Sequence, residues 1–166
     1  MLAGYFVSLL VAAVMVVLCS RWPHTAGRLG VAVVFLPAGV VNAVLVSVNP
    51  SLYVEGFGST AIPLYQAFIE GPFARNPALF VLPIALGQLL CGLAVLFGRG
   101  SLVRLGLVGC IVFLVAITGL GVGCAFPANL VMAIGPALLL RHRFVHGALH
   151  GLHVKHPPAS GISAGR

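Results

Sequence analysis

The chain predicts an all-α membrane protein: a four-helix transmembrane bundle plus one additional N-terminal transmembrane helix, five spans with the N-terminus outside and the C-terminus inside. Three observations predict it. First, 60% of the 166 residues are hydrophobic, 7% are charged, and the mean hydropathy is +1.14. So few charged groups cannot clothe a soluble domain of this size, whereas hydrocarbon demands no such coat. Second, apolar runs recur that are long enough to span, at roughly 1.5 Å per residue across a core of about 30 Å. Third, positive charge alternates with those runs. Eight of the nine Lys/Arg fall in three segments: Arg21 and Arg28; Arg99 and Arg104; Arg141, Arg143, Lys155 and Arg166. Cytoplasmic loops are enriched in Lys and Arg, so the three segments are expected on one side.

The first run, Leu2 to Cys19, lacks the basic n-region and small-x-small site of a signal peptide, and Leu18 before Cys19 does not suit lipoprotein cleavage. Residues 1–20 are therefore expected to stay as a spanning helix. The second run, Leu29 to Val48, carries Pro37 and Asn42. Proline inside a span is tolerated where neighbouring helices re-satisfy the freed carbonyl, so this helix is expected among partners. A third run covers Ala78 to Phe97. Leu102 to Leu140 is too long for one crossing and sufficient for two, with Gly119, Gly121, Gly123 and Pro127 marking the break. Splitting there puts Arg99/Arg104 and Arg141/Arg143 on the same side. The domain reading is a helix at 1–20, a membrane bundle at 29–140 with an external loop at 50–77, and a cytoplasmic His/Arg-containing tail at 141–166.

The external loop holds Arg75 and the only two acids, Glu55 and Glu70. Within it, Pro63 near the start and Gly71 just past the end punctuate a short helix over residues 62–70. Its apolar face and the aromatics Tyr53, Tyr65 and Phe73 point to an interfacial position. Small residues recur at spacing four, which lets helices approach closely in lipid. These stripes are Gly39/Ala43/Ser47, Gly87/Cys91, Gln88/Gly92, Gly106/Cys110 and Asn129/Ala133/Ala137. The first run has the weakest stripe, which places its helix on the outside of the bundle.

Several chemistries are excluded or weak. The pI near 10.1 does not signal nucleic acid, because the basic residues flank apolar runs and form no patch interleaved with aromatics. Cys19, Cys91, Cys110 and Cys124 form no Cys-x-x-Cys pair and no zinc-ligand spacing, so they read as packing residues. Glu55 and Glu70 are the only carboxylates open to acid/base work, and no partner motif accompanies them, so no catalytic residue is assigned. His142, His146, His150 and His153 follow a spacing of four, four and three, the pattern of one helical face, and imidazoles at i, i+4 can chelate a transition metal. An amphipathic basic tail resting on the cytoplasmic leaflet explains the same pattern and is preferred.

The candidate ligand-binding site is an outer-half pocket around Asn42, Gln88 and Asn129. Counted from the outer boundary, Asn42 lies about two turns deep, Gln88 about three and Asn129 less than one, so the three amides can converge. They are expected beneath the loop bearing Tyr53, Tyr65, Glu55 and Glu70. The alternative is plain interhelical hydrogen bonding that sets bundle register. No ionisable side chain is expected deep in a span, which argues against an ion-coupled pump or proton relay.

Leu79 to Leu120 resembles the DoxX-like family of small bacterial membrane proteins. The resemblance is carried by Gly-Gln-Leu-Leu-Cys-Gly-Leu-Ala-Val-Leu-Phe-Gly-Arg at 87–99 and Val-Arg-Leu-Gly-Leu-Val-Gly at 103–109. A Gly-x-x-Asn segment from Gly39 to Asn42, Tyr53, and Pro63-Leu64-Tyr65 extend it over residues 29–140. The resemblance implies a four-helix core, and some members are membrane subunits of quinone-linked thiosulfate or thiol redox complexes. Related chains commonly carry Glu where Gln88 stands.

The functional expectation is an inner-membrane protein that acts as a membrane partner or anchor subunit, with no self-contained active site and another membrane or membrane-associated protein as its companion. Two alternatives stay open: a quinone- or small-lipophile-binding subunit of a membrane oxidoreductase, and a small-solute transporter. Quinone is the one cofactor considered, and a homo-oligomer is also open.

Overall fold

The computed structural model describes residues 2–149. His150, His153, Lys155 and Arg166 lie outside the described residues. Among those described, every regular element is helical. Helix α1 covers Leu2–Arg21 and leads through a π-helical turn, Pro23–Gly27, into α2, Arg28–Val48. Two short helices follow, α3 at Ser51–Phe57 and α4 at Pro63–Phe68, and α4 runs into a π turn at Ile69–Phe73. Helix α5 is Pro77–Phe97, α6 is Ser101–Ala116 and α7 is Ala128–Leu139, with a 3-10 segment, Ile117–Cys124, between the last two.

Four of these helical stretches are long and apolar enough to cross a membrane: Gly4–Arg21, Pro23–Val48, Pro77–Phe97 and Ser101–Gly121. Helix α7 is apolar but has 12 residues, about 18 Å at the usual rise. The expected fifth crossing falls on this shorter helix, because the break between the last two runs occupies eight residues of 3-10 segment and three more before α7 begins.

Local signals account for the boundaries. Proline at the first position starts α4 and α5, and Asn76 caps α5 by accepting from the Leu79 backbone N–H at 3.3 Å. The sequence pointed to a single helix in the loop at 50–77, and the structure has two.

Helices α2 and α5 form the most extensive pairing, and glycine sets their separation. A Cβ built at Gly39 would fall 2.8 Å from Leu89 Cγ and 2.9 Å from the Ala85 carbonyl oxygen, and one at Gly92 would fall 2.8 Å from the Leu36 side chain. Helix α6 lies against α5 in the same way, with Gly106 close to Ala94 and to the Cys91 carbonyl. Helix α7 packs between α6 and α1. The first helix is more than an outer attachment: Ala12, Met15 and Cys19, spaced three and four apart, are buried in the main core, and Gly135 of α7 admits Met15 and Cys19. That core continues through Val31, Phe35, Val95, Leu107, Cys110, Leu114 and Met132.

Short connections make successive long helices run in opposite directions, which sorts the charges. The starts of α2 and α6 and the ends of α1, α5 and α7 share one end of the bundle, with Arg21, Arg28, Arg99, Arg104, Arg141 and Arg143. Glu55, Glu70 and Arg75 belong to the 51–76 segment at the other end.

Arg28 departs from the sequence expectation. Read there as a loop charge, it is 1% exposed and starts α2. Its guanidinium donates to the carbonyls of Val95 at 2.7 Å, Gly98 at 2.8 Å, Leu96 at 3.3 Å and His146 at 2.6 Å. Three of these acceptors belong to the end of α5, whose last carbonyls have no intrahelical donor and carry the negative pole of the helix dipole. The Phe144 ring covers the same guanidinium at 5.0 Å.

The segment after α7 is not helical over residues 141–149. It crosses the ends of α5 and α6: Gly100 N–H donates to the Phe144 carbonyl at 2.7 Å, and Ala148 N–H to the Leu96 carbonyl at 3.0 Å. Buried Phe144 and Ala148 anchor it. The helical face expected for His142 and His146 is therefore absent. His142 instead meets His24 edge-on, with ring centroids 5.6 Å apart.

Candidate functional site

A cavity of about 760 Å³ lies between α2, α5 and α6, roofed by α3 and α4. It lies beyond the close contact of α5 and α6. Toward the arginine end the two are held together where Gly106 and Gly109 meet Cys91 and Ala94. Beyond that point Gly87 contributes no side chain, and a Cβ there would meet nothing within 4 Å. Phe35 and Phe113, stacked edge-on at 5.7 Å, form the floor. Pro83, Ile84, Val112 and Ala116 are exposed and edge the opening between α5 and α6.

The roof is tied to the end of α6 and the 3-10 segment by three hydrogen bonds of 2.9 Å: Thr60 Oγ1 to the Leu120 carbonyl, Ile62 N–H to the Gly119 carbonyl, and Tyr65 Oη to the Ala116 carbonyl. Gly119 lies under the Tyr65 ring. Gly121 has a φ of +72° and abuts the Thr60 carbonyl, so only glycine suits it.

One polar chain enters this apolar space. Tyr53 Oη donates to Asn42 Oδ1 at 2.9 Å, with the Asn42 backbone carbonyl at 3.2 Å, and Asn42 Nδ2 donates to Gln88 Oε1 at 2.8 Å. Burial pushes the Tyr53 phenol above its ordinary value. Gln88 is 3% exposed and lines the cavity, and its amide nitrogen makes no hydrogen bond among the described residues. That nitrogen is not fully sealed in protein, and the side chain that carries it lines the cavity. The result is a hydrogen-bond donor facing an aromatic and aliphatic hollow.

The expected site thus divides. Asn42, Gln88, Tyr53 and Tyr65 come together around the cavity. Asn129 does not join them: it is buried in the first turn of α7, and its Nδ2 donates to the Cys124 carbonyl, closing the connection into α7. Glu55 and Glu70 are exposed and do not line the cavity. Of the tail histidines, His142 and His146 lie at the far end of the bundle. Among the described residues no three His, Cys, Asp or Glu gather as metal ligands.

Sequence reasoning missed Phe35, Phe113 and Gly87 as parts of the cavity. Their signal is weak, because aromatic residues and glycine in apolar helices most often mean packing. The cavity lining contains no Asp, Glu, His, Lys or Arg among the described residues. Chemically, such a site suits retention of an uncharged apolar molecule that offers a hydrogen-bond acceptor. Compared with protein-family models, curated proteins and solved structures, the chain has no significant match.

Proposed function

We propose that the protein is a multi-pass inner-membrane protein that binds a small lipophilic molecule carrying a carbonyl-type acceptor in the cavity beside Gln88. The observation that carries this reading is the Gln88 amide nitrogen, unpaired among the described residues, on a side chain that is 3% exposed and lines an apolar hollow of about 760 Å³. A donor left without a partner in such surroundings costs roughly 1–3 kcal/mol, and a ligand carbonyl would recover that cost. The Gln88 amide can donate to a neutral carbonyl, whereas the Glu common in DoxX-like chains would repel one when ionised.

A quinone ring is our choice within this class, and it enters through the DoxX-like resemblance together with the fit of a flat carbonyl-bearing ring among aromatic walls. In this reading the chain is a membrane subunit of an oxidoreductase complex. It positions the lipophile and supplies no reaction of its own. The five-span, N-out/C-in orientation belongs to the same proposal, and so does α7 as the short last crossing. Its support is the gathering of arginines at one end of the bundle.

The test is titration of the detergent-purified protein with a short-chain benzoquinone, alongside an alkylbenzene of similar size. The benzoquinone is expected to bind, and Gln88→Leu to weaken it about tenfold, as for loss of one hydrogen bond to a buried donor. Gly87→Leu is expected to fill the hollow and abolish binding while leaving the fold intact. Equal binding by wild type and both variants, or equal preference for the alkylbenzene, would overturn the reading.

A further inference from the structure

A second cavity, of about 520 Å³, lies at the arginine end of the bundle, far from Gln88, and is lined by Arg99, Gly100, Ser101, Arg104, Arg143, Phe144 and Val145. We infer that it is a binding site for a phosphate group, held by Arg99, Arg104 and Arg143. The inference is independent of what occupies the cavity beside Gln88.

Three exposed arginines line this space from three places: the α5–α6 turn, the first turn of α6 and the segment after α7. The backbone that carries two of them is tied together. Gly100, with a φ of +52°, turns the chain between the helices, and its N–H donates to the Phe144 carbonyl at 2.7 Å. That bond holds the segment bearing Arg143 against the turn bearing Arg99. Phe144 is buried between this cavity and the Arg28 guanidinium, so the wall behind the cavity carries a further fixed cation.

Among the described residues no acidic group belongs to this end of the bundle. The only two acidic side chains, Glu55 and Glu70, belong to the segment at the opposite end. No side-chain hydrogen bond or ion pair engages the guanidinium of Arg99, Arg104 or Arg143 among the described residues. Arg104 also sits in the first turn of α6, where the helix dipole disfavours a cation. Ser101, the first residue of α6, leaves its hydroxyl and its N–H without a protein partner among the described residues. Like charges around one hollow beside a helix N-terminus are unfavourable alone and favourable around an anion. Arginine forks pair with the oxygens of phosphate and carboxylate alike, and three arginines around one space suit phosphate, the anion with more acceptor oxygens and more charge to share.

The phosphate can come from an anionic phospholipid headgroup or from free phosphate, and the experiment separates the sources. Full-length protein in maltoside detergent is titrated with phosphatidylglycerol, with a fatty acid of matched chain length, and with inorganic phosphate, following thermal unfolding and retained lipid by mass spectrometry. Phosphatidylglycerol is expected to bind and stabilise. Displacement by inorganic phosphate assigns recognition to the phosphate alone; persistence of the lipid assigns it to the headgroup with its chains. Both outcomes support the site. The triple variant Arg99→Gln/Arg104→Gln/Arg143→Gln is expected to lose at least about tenfold in affinity. The triple lysine variant, which keeps the charge but loses the forks, is expected to fall several-fold. Unchanged affinity in either variant, or equal binding of the fatty acid, would overturn the inference.

Discussion

The Arg28 guanidinium and the Val95 carbonyl meet at 2.7 Å although 67 residues separate them in the chain. The contact joins the first residue of α2 to the last turn of α5, so one buried cation serves as the C-terminal cap of a neighbouring helix. Arg28→Ala is expected to lower the unfolding free energy by about 3 kcal/mol, since hydrogen bonds to a charged group are each worth roughly 1.5–3 kcal/mol and are not additive. Arg28→Lys should recover less than half of that, because an ammonium cannot reproduce the planar fork. Unfolding in mixed micelles, followed by circular dichroism, measures both, and a loss in Arg28→Ala within experimental error would refute the capping role.

The Asn42–Gln88 bond couples α2 to α5 inside the cavity wall. A double-mutant cycle with Asn42→Ala and Gln88→Ala should give a coupling of about 0.6 kcal/mol, the usual scale for polar contacts between membrane helices. Zero coupling would show that the two amides do not act as a pair.

Two glycines on α2 and α5 should behave oppositely. At Gly39 an added methyl would press on the Ala85 backbone oxygen, so Gly39→Ala is expected to cost about 1–3 kcal/mol. Gly87 faces open space, and Gly87→Ala should stay within about 0.5 kcal/mol of wild type. Paired stability measurements decide the matter, and equal losses would refute the packing argument.

Tyr53 ionises above its ordinary value of 10.0 because burial disfavours the phenolate. The folded value is raised above the unfolded one, so the phenol's contribution to stability is complete below pH 10 and is lost as pH climbs through the folded value. Absorbance titration of the phenolate band should show a late step that vanishes in Tyr53→Phe. Its survival in that variant would assign the step elsewhere.

What the sequence made legible follows from the physics of each signal. Long apolar runs bounded by arginine located α1, α2, α5 and α6, because length and charge are properties of residues themselves. Asn42 and Gln88 could be paired by counting turns from a common boundary, since both lie on regular helices. Asn129 defeated the same count: its amide satisfies a nearby carbonyl in the turn before α7, and depth alone does not reveal a local partner. Arg28 was hidden for a related reason. Its acceptors are main-chain oxygens, which every residue has, so nothing in the sequence marks them. The histidine spacing after Arg141 suggested a helix, but burial of Phe144 and Ala148 against the ends of α5 and α6 draws the segment into an irregular path. The cavity itself follows from an absent side chain at Gly87 beyond the close α5–α6 contact, and a lone glycine in an apolar helix does not announce that role.

One of the Arg28 bonds reaches His146, 118 residues downstream. A ribosome builds α2 long before it builds either α5 or the strap that follows α7. Until those arrive, the nascent guanidinium lacks all four of these carbonyl partners. Synthesis through residue 146 therefore completes the latch on the beginning of the second helix. A chain truncated before residue 144 would keep all its spanning helices and still lack that latch.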